Sequence, residues 1–295
     1  MTTIAGKTVV LTGASRGIGR FIAEALAKKQ ATIIGISRSP AGLDDFCEQV
    51  NALGGKAIAI PFDISNLEQL PVLRRQIEQV APRVDILINN AGIEIYQAFQ
   101  DYSFTQMQSI LTINLLAAME LTRTFLPSML NQKDAHIVNI ASLAGKKGNP
   151  YNSVYSASKA GLVMWSDALR QELAGTKVKI STVCPGYVAG QGMIADTGVP
   201  IPSLAGASKP EDVAIAVLRA IERNRAEVIV NQDPVTVATT RMLMALWQIF
   251  PRFGDTVYQW LGVAKLNQMR AENQRNIAFK SRETTLNKES KAYIN

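Results

Sequence analysis

Seven short runs rich in β-branched residues, VVLTG, ATIIGIS, KAIAIPF, VDILINN, HIVNIAS, KISTVCP and AEVIV, recur along the chain, separated by longer stretches of helical period. Strands that are apolar at consecutive positions suit a sheet covered on both faces, and their alternation with helices argues for βαβ units and a parallel sheet. No linker, internal repeat or low-complexity tract interrupts the alternation. A chain of 295 residues with 47% hydrophobic content can bury a sizeable core. Length alone permits two domains, but the unbroken alternation favours one α/β domain over residues 1–234, followed by a different region over 235–295.

The first run ends in TGASRGIG, Thr12 to Gly19, and is followed by a helical pattern through Ile22, Leu26 and Ala27. A strand, a glycine turn and a helix start in that order place free backbone N–H groups and the positive helix end against a pyrophosphate. Further along, YSASK sets the phenol of Tyr155 and the amine of Lys159 four residues apart, on one helix face. An ammonium so placed favours the phenolate, lowering a pKa near 10 in water. A phenol, an amine, the hydroxyl of Ser142 and the amide of Asn114 behind a nucleotide loop are the equipment of an oxidoreductase acting on a carbonyl or an alcohol.

The spacing Gly13-x-x-x-Gly17-x-Gly19 resembles that of the short-chain dehydrogenase/reductase superfamily. NNAG at Asn89 to Gly92, Asn114 in a helix, Ser142 after HIVNIAS, then YSASK and CPGYV follow in the superfamily's order over roughly Gly6 to Val230. The resemblance implies a doubly wound, Rossmann-like parallel sheet of seven strands in the order 3-2-1-4-5-6-7. It also implies that Tyr155 exchanges a proton with the substrate oxygen, and that Lys159 lowers the phenol pKa and holds the nicotinamide ribose. By the same resemblance Ser142 holds the carbonyl oxygen and Asn114 anchors a water in the proton relay. The implied cofactor set is Gly13, Ser15, Arg16, Gly17, Ile18, Gly19, Ser37, Arg38, Asp63, Ile64, Asn90, Ala91, Gly92, Tyr155, Lys159, Pro185, Gly186 and Val188, with Asp63 at the adenine and Asn90 near its ribose. Where the family usually has Thr or Ser after the Pro-Gly pair, PGYVAGQG has Gly190, so only the Val188 N–H serves the carboxamide.

Cofactor choice in this fold turns on charge near the adenosine ribose, an acid favouring a 2′-hydroxyl and a cation a 2′-phosphate. ATIIGISRSP offers Ser37 and Arg38 and no carboxylate, and Arg16 reaches from the glycine loop, so NADP(H) is expected. The Gly- and Pro-rich segment 187–208, low in charge, reads as a mobile substrate lid over a lipophilic ketone or 3-oxoacyl substrate.

Other residues exclude other functions. His136, the only histidine, opens a strand far from any candidate nucleophile, which leaves a Ser-His-Asp hydrolase without a base. Cys47 and Cys184 have no metal-ligand spacing and suggest a reducing compartment; no metal is expected. The start MTTIAGKTVVLTG enters the first strand at once, and no stretch reads as long and apolar enough to span a bilayer, so a cytoplasmic protein is expected. The net charge of +7 and pI of about 9.4 fit an anionic cofactor and could fit an acyl carrier protein or an anionic membrane surface. Nucleic acid is not expected, because the basic residues form no aromatic-interleaved stripe.

Beyond Val230, RMLMALWQIFPRFGDTVYQWLGVAKL sets Leu243, Trp247 and Phe250 on one helical face, stops at Pro251, then sets Val257, Trp260, Leu261 and Ala264 on another. Two short helices over about 241–266 are expected to cover an apolar surface beside the lid, ahead of a polar tail over 267–295. These stripes read as packing against the domain or a sister subunit in a homo-oligomer, dimer or tetramer, or as a peripheral membrane contact. Two function classes stay open at this point: a carbonyl reductase or alcohol dehydrogenase, and a non-catalytic NADP(H)-sensing interaction protein.

Overall fold

The computed structural model describes residues 2–202 and 205–292, the side chains of 278 and 280–292 excepted. Strands β1 (Thr8–Thr12), β2 (Thr32–Ser37), β3 (Lys56–Pro61), β4 (Ile86–Asn89), β5 (Ala135–Ile140) and β6 (Val178–Pro185) form one sheet with a later strand, β9 (Glu227–Val230). The short strands β7 (Tyr187–Val188) and β8 (Ala207–Ser208) pair separately, at the two ends of the expected lid. The main sheet is parallel throughout, in the order β3-β2-β1-β4-β5-β6-β9, the expected doubly wound topology.

The side-chain period of a strand explains why these runs carry apolar residues at consecutive positions. Val9 and Leu11 of β1 and Ile86 and Ile88 of β4 point to one face, where they meet Ile22 and Leu26 of α1 (Ile18–Ala27), Phe46 of α2 (Pro40–Ala52) and Val213 and Val217 of α7 (Pro210–Arg223). Val10, Leu87 and Ile137 point to the other, against Leu73 and Ile77 of α3 (Leu70–Val80) and Leu121 and Phe125 of α5 (Ala117–Leu130). A polar line runs between these layers: Asn89 Nδ2 donates to Asn139 Oδ1 at 2.8 Å, and Asn139 Nδ2 to Ser166 Oγ at 2.8 Å on α6 (Ser153–Glu172).

One sequence expectation needs correction here. The helical run Phe104–Leu130, made of α4 (Phe104–Leu111), a π-helical stretch at Thr112–Leu116 and α5, is long and apolar enough to cross a membrane. Its core face carries Ile110, Asn114, Ala117, Leu121, Phe125 and Met129, all buried, so part of its apolar character is used inside the domain, while Phe104, Leu111, Leu116 and Leu130 are exposed. His136 and Cys184 are buried, as expected of structural residues. Burial pushes the imidazole down to about 3, and its Nε2 lies 2.8 Å from Ser181 Oγ.

Residues 235–295 also differ from expectation. The first helix, α8 (Pro234–Ile249), starts earlier than read, capped by the Asp233 carboxylate on the N–H groups of Val235 and Thr236. Pro251 opens α9 (Pro251–Trp260), as its fixed φ and missing N–H favour. The expected polar tail instead continues as one helix, α10 (Val263–Ala292), because that stretch has no Gly or Pro and is rich in Ala, Lys, Arg, Glu and Gln. Residues 293–295, and Ser203 and Leu204 of the expected lid, lie outside the described residues.

Candidate active site

The carboxyl ends of β1, β4, β5 and β6 point to the same edge of the sheet, where a single cavity of about 520 Å³ opens. Its outer part is the glycine loop. Gly13 and Gly17 have φ of +68° and +55°, a region costly for side chains, and a Cβ on Gly19 would sit 2.0 Å from the Gly13 carbonyl oxygen. Asn90 braces this loop: its Nδ2 donates to Thr12 O at 2.9 Å and to Gly13 O at 3.2 Å, while Thr12 Oγ1 accepts from the N–H groups of Asn90 and Ala91. No side chain caps the N-terminus of α1. A bare helix start behind close-packed glycines fits a pyrophosphate, and on these observations the groove fits a nicotinamide dinucleotide.

Gly13, Ser15, Arg16, Gly17, Ile18, Ser37, Arg38, Asp63, Ile64, Asn90, Ala91, Gly92, Pro185, Gly186 and Val188 all line the cavity, together with Tyr155, Lys159 and Ser142. Gly19 and Asn114 do not; they shape it from behind. Ser37 ends β2 with its hydroxyl 2.6 Å from that of Ser15, and Arg38 beside it is exposed. Arg16 lies 3.2 Å from Asp196 of the lid segment, an exposed ion pair across the mouth of the groove. Asp63 is exposed, its Oδ1 accepting from the Ser65 N–H at 2.9 Å.

At the inner end, Ser142 follows β5 and caps a short turn, accepting from the Ala144 N–H at 3.1 Å. Its hydroxyl neighbours the phenol of Tyr155, on the first turn of α6, and acts to lower the phenol pKa. Lys159, one turn on, donates to Ile140 O at 2.8 Å, with its Nζ 5.7 Å from the Tyr155 ring centroid. Burial pushes the Lys159 ammonium down to about 8, opposed by the Glu94 and Cys184 charges. The expected lowering of the phenol pKa is not the net result in this geometry. Burial raises it, Glu94 raises it further, and only the Ser142 hydroxyl opposes them. Asn114 sits in the π-helical stretch with its side chain engaged: Oδ1 accepts from the Ile93 N–H at 2.8 Å, and Nδ2 donates to Ile93 O at 2.9 Å and Ser158 Oγ at 3.0 Å. The side chain therefore braces the loop at Ile93 that follows NNAG.

The sequence reading missed Glu94. It faces the cavity beside Tyr155, accepts a hydrogen bond from Asn152 Nδ2 just before α6, and pairs with the hydroxyl of Tyr96. Burial holds its carboxyl above the usual range, although Asn152, Tyr96, Arg270 and Lys159 pull the other way. A signal was present: GIEIY places one carboxylate in an otherwise apolar run after NNAG. Arg270, from the supposed tail, is fully buried against the rings of Tyr96 and Tyr187, and nothing local in the sequence marks it.

The far wall of the cavity is apolar and comes from the extension: Leu243, Met244 and Trp247 of α8, Val257 of α9, Leu261 and Val263. Trp247 packs edge-on to Tyr258 with ring centroids 5.5 Å apart. Phe250 and Trp260, expected on the same faces, are exposed at 57% and 74%. Phe250 is the non-helical junction between α8 and α9 and so leaves the stripe of Leu243 and Trp247.

A dinucleotide groove ending at a serine, a tyrosine and a lysine on a doubly wound parallel sheet defines a nicotinamide-dependent oxidoreductase. The family model described as short chain dehydrogenase matches residues 7–197, and the chain belongs to the short-chain dehydrogenase/reductase family. It is 58% identical over 274 residues to the ketoacyl reductase HetN of Nostoc sp., covering 93% of this chain and 96% of that one. It is 32% identical to a 3-oxoacyl-[acyl-carrier-protein] reductase of Synechocystis sp., covering 72% and 88%. Among solved structures, it resembles a short-chain dehydrogenase/reductase from Burkholderia phymatum in complex with NAD, with a TM-score of 0.73, 28% identity and coverage of 82% and 94%. A metagenomic short-chain oxidoreductase in complex with NADP gives 0.68 and 29%, covering 79% and 100%.

Proposed function

We propose that this oxidoreductase is an NADP(H)-dependent ketoreductase whose substrate is a lipophilic ketone of 3-oxoacyl type. The observation that carries the reading is the continuity of one cavity, from the glycine loop past Ser142, Tyr155 and Lys159 to the apolar wall of α8 and α9. The names of the HetN and Synechocystis relatives support a ketoacyl substrate, and the absence of a carboxylate at the end of β2, with Arg38 and Arg16 near it, supports NADP(H).

The groove would hold the cofactor through the glycine loop, the α1 N-terminus and Lys159, and when bound the cofactor supplies the hydride. Ser142 and Tyr155 would hold the substrate oxygen between their hydroxyls. Tyr155 then donates its proton to that oxygen in reduction or removes one in oxidation. A phenol kept neutral by burial is suited to donating in the reductive direction. A charged Lys159 would favour the phenolate that must follow. Glu94, next to this phenol, closes the polar end of the cavity, while the apolar wall displaces water from an acyl chain.

The test is NADPH oxidation across acyl thioesters, steroids and long-chain ketones. Tyr155→Phe should lower turnover by about a hundredfold to ten-thousandfold, the range for general acid catalysis, with NADPH affinity nearly unchanged. Turnover close to that of the unaltered enzyme in the variant would remove Tyr155 from the role.

A further inference from the structure

One face of α10 reaches three of the loops that frame the inner cavity. Asn267 Nδ2 donates to Pro150 O at 2.8 Å, in the loop before α6. Arg270 Nη2 donates to Pro200 O at 2.7 Å, and Asn273 Nδ2 to Thr197 O at 3.1 Å, both in the lid. Gln274 Oε1 accepts from the Tyr96 N–H at 2.8 Å, two residues from Glu94. Positions 267, 270, 273 and 274 share a helix face. They stand beyond residue 197, where the family model ends, whereas the 274 residues matched to HetN necessarily include part of 235–295.

Arg270 is the centre of this face. An arginine is rarely fully buried without a carboxylate bonded to it, yet here 0% of Arg270 is exposed. Its guanidinium lies between the rings of Tyr96 and Tyr187, 5.6 Å and 5.7 Å from their centroids, and its Nη1 donates to Asn267 Oδ1 at 2.6 Å. Its Nε has no hydrogen-bond partner among the described residues. Tyr96 and Tyr187 line the cavity, so the cation sits immediately behind its wall. Elsewhere the lid is held at its ends, by the β7–β8 pairing with Ala189 N–H to Ser208 O at 3.0 Å and by Asn231 Nδ2 to Ala205 O at 3.2 Å, and at Asp196 by the exposed Arg16. Gly190, Gly192, Gly198 and Gly206 all have positive φ, and the remaining hydrogen bonds within the lid run over short spans such as Thr197 N–H to Ile194 O at 3.1 Å. A segment so built closes only where something outside it receives its carbonyls.

We propose that Arg270 is a positioning residue of the ketoreductase reaction, clasping the lid at Pro200 and fixing Tyr96 and Tyr187 as the wall against which the substrate packs beside Tyr155. The proposal rests on the ketoreductase reading for its kinetic consequence and on the α10 contacts alone for its structural one. An open lid is binding-incompetent for substrate, so weakening the clasp multiplies the apparent substrate constant by the loss of closed population. The clasp itself holds Pro200 and Thr197 and touches no residue of the glycine loop, whose ion pair to the lid, Arg16 with Asp196, is exposed, so cofactor affinity should move far less than substrate affinity.

The experiment uses the full chain with NADPH and the best ketone from the substrate panel. Arg270→Ala should raise KM for the ketone by about tenfold to a hundredfold, the effect of one charge-assisted hydrogen bond, with kcat and NADPH affinity within about threefold. Hydrogen exchange should quicken at the lid amides 194–201 while β1 and β4 keep their protection. Arg270→Lys, which retains a cation and a donor, should recover part of both. Unchanged KM and lid exchange would overturn the proposal, and so would loss of protection across the whole sheet. If Arg270→Ala does not fold, Asn273→Ala removes only the bond to Thr197 O and should move lid exchange in the same direction; no change there also overturns the clasp. Should the unaltered protein reduce no carbonyl at all, the ketoreductase reading fails, while the exchange measurements still decide the clasp.

Discussion

Gly145 lies in the turn that follows Ser142, against the backbone of the helix that carries Tyr155 and Lys159. A Cβ built there would stand 2.7 Å from both the carbonyl carbon and oxygen of Lys159 and 2.9 Å from the nitrogen of Ala160. These are backbone atoms in a helix and cannot rotate away. Ordinary contact begins near 3.4 Å, so Gly145→Ala requires the turn and the helix to part by about 0.7 Å. The displacement is transmitted to Ser142, because Gly145 N–H donates to Ser142 O at 3.0 Å within the same turn. Overpacking costs about 1–3 kcal/mol, against about 0.4–1 kcal/mol gained from a stiffer unfolded chain, so the variant should be less stable by about 1.3 kcal/mol at the middle of the two ranges and by at most about 2.6 kcal/mol. Catalysis should suffer more. A misplacement of about 1 Å is worth about a hundredfold, so kcat should fall by about tenfold to a hundredfold as Ser142 and Tyr155 separate. Steady-state NADPH oxidation, NADPH titration by fluorescence and urea unfolding measure the three quantities, with NADPH affinity expected to hold. Gly148→Ala is the control: its Cβ position is open to 4 Å, so kcat should stay as it is and stability should rise by about 0.4–1 kcal/mol. A Gly145→Ala enzyme within about twofold of the original kcat, or equal losses in the two variants, would refute the reasoning.

Changing Arg16 and Arg38 together to Ala should weaken NADPH far more than NADH, since only the former loses charge-assisted hydrogen bonds worth about 1.5–3 kcal/mol each; equal losses in titrations with both cofactors would contradict the assignment. Lys159 gives a pH dependence whose sign is set by its depressed pKa of about 8 in the folded, cofactor-free protein. Between that value and the usual lysine value near 10.4 the unfolded chain binds more protons, so stability relative to Lys159→Met should rise with pH across that window and be flat below it, as read from urea midpoints. Deleting residues 241–266 should expose the apolar cavity wall, promote aggregation and weaken substrate before cofactor, each buried aromatic contributing about 1.5–3 kcal/mol. A deletion variant that stays soluble with unchanged substrate kinetics, and loses only binding to anionic vesicles, would instead favour a membrane role for α8 and α9.

What the sequence by itself determined is what local rules govern. The central strands of the sheet were legible because they are buried on both faces and so apolar at consecutive positions, as Val9, Val10 and Leu11 show. The glycine loop was legible because positive φ at Gly13 and close approach at Gly19 leave no other residue type suitable. Tyr155 and Lys159 were legible because a fixed helical spacing brings them together whatever surrounds them. The tertiary structure decided what depends on distant partners. The direction of the Tyr155 shift follows from burial and from Glu94, which lies 61 residues away in the chain. One face of the 104–130 helical run turned out to serve the core because the sheet covers Ala117, Leu121, Phe125 and Met129. Arg270 looked like one cation in a polar tail, and only the folding of α10 onto three loops made it part of the cavity. A charge is read as solvated until something buries it, and burial is a property of the assembled molecule, not of the residue or its neighbours in sequence.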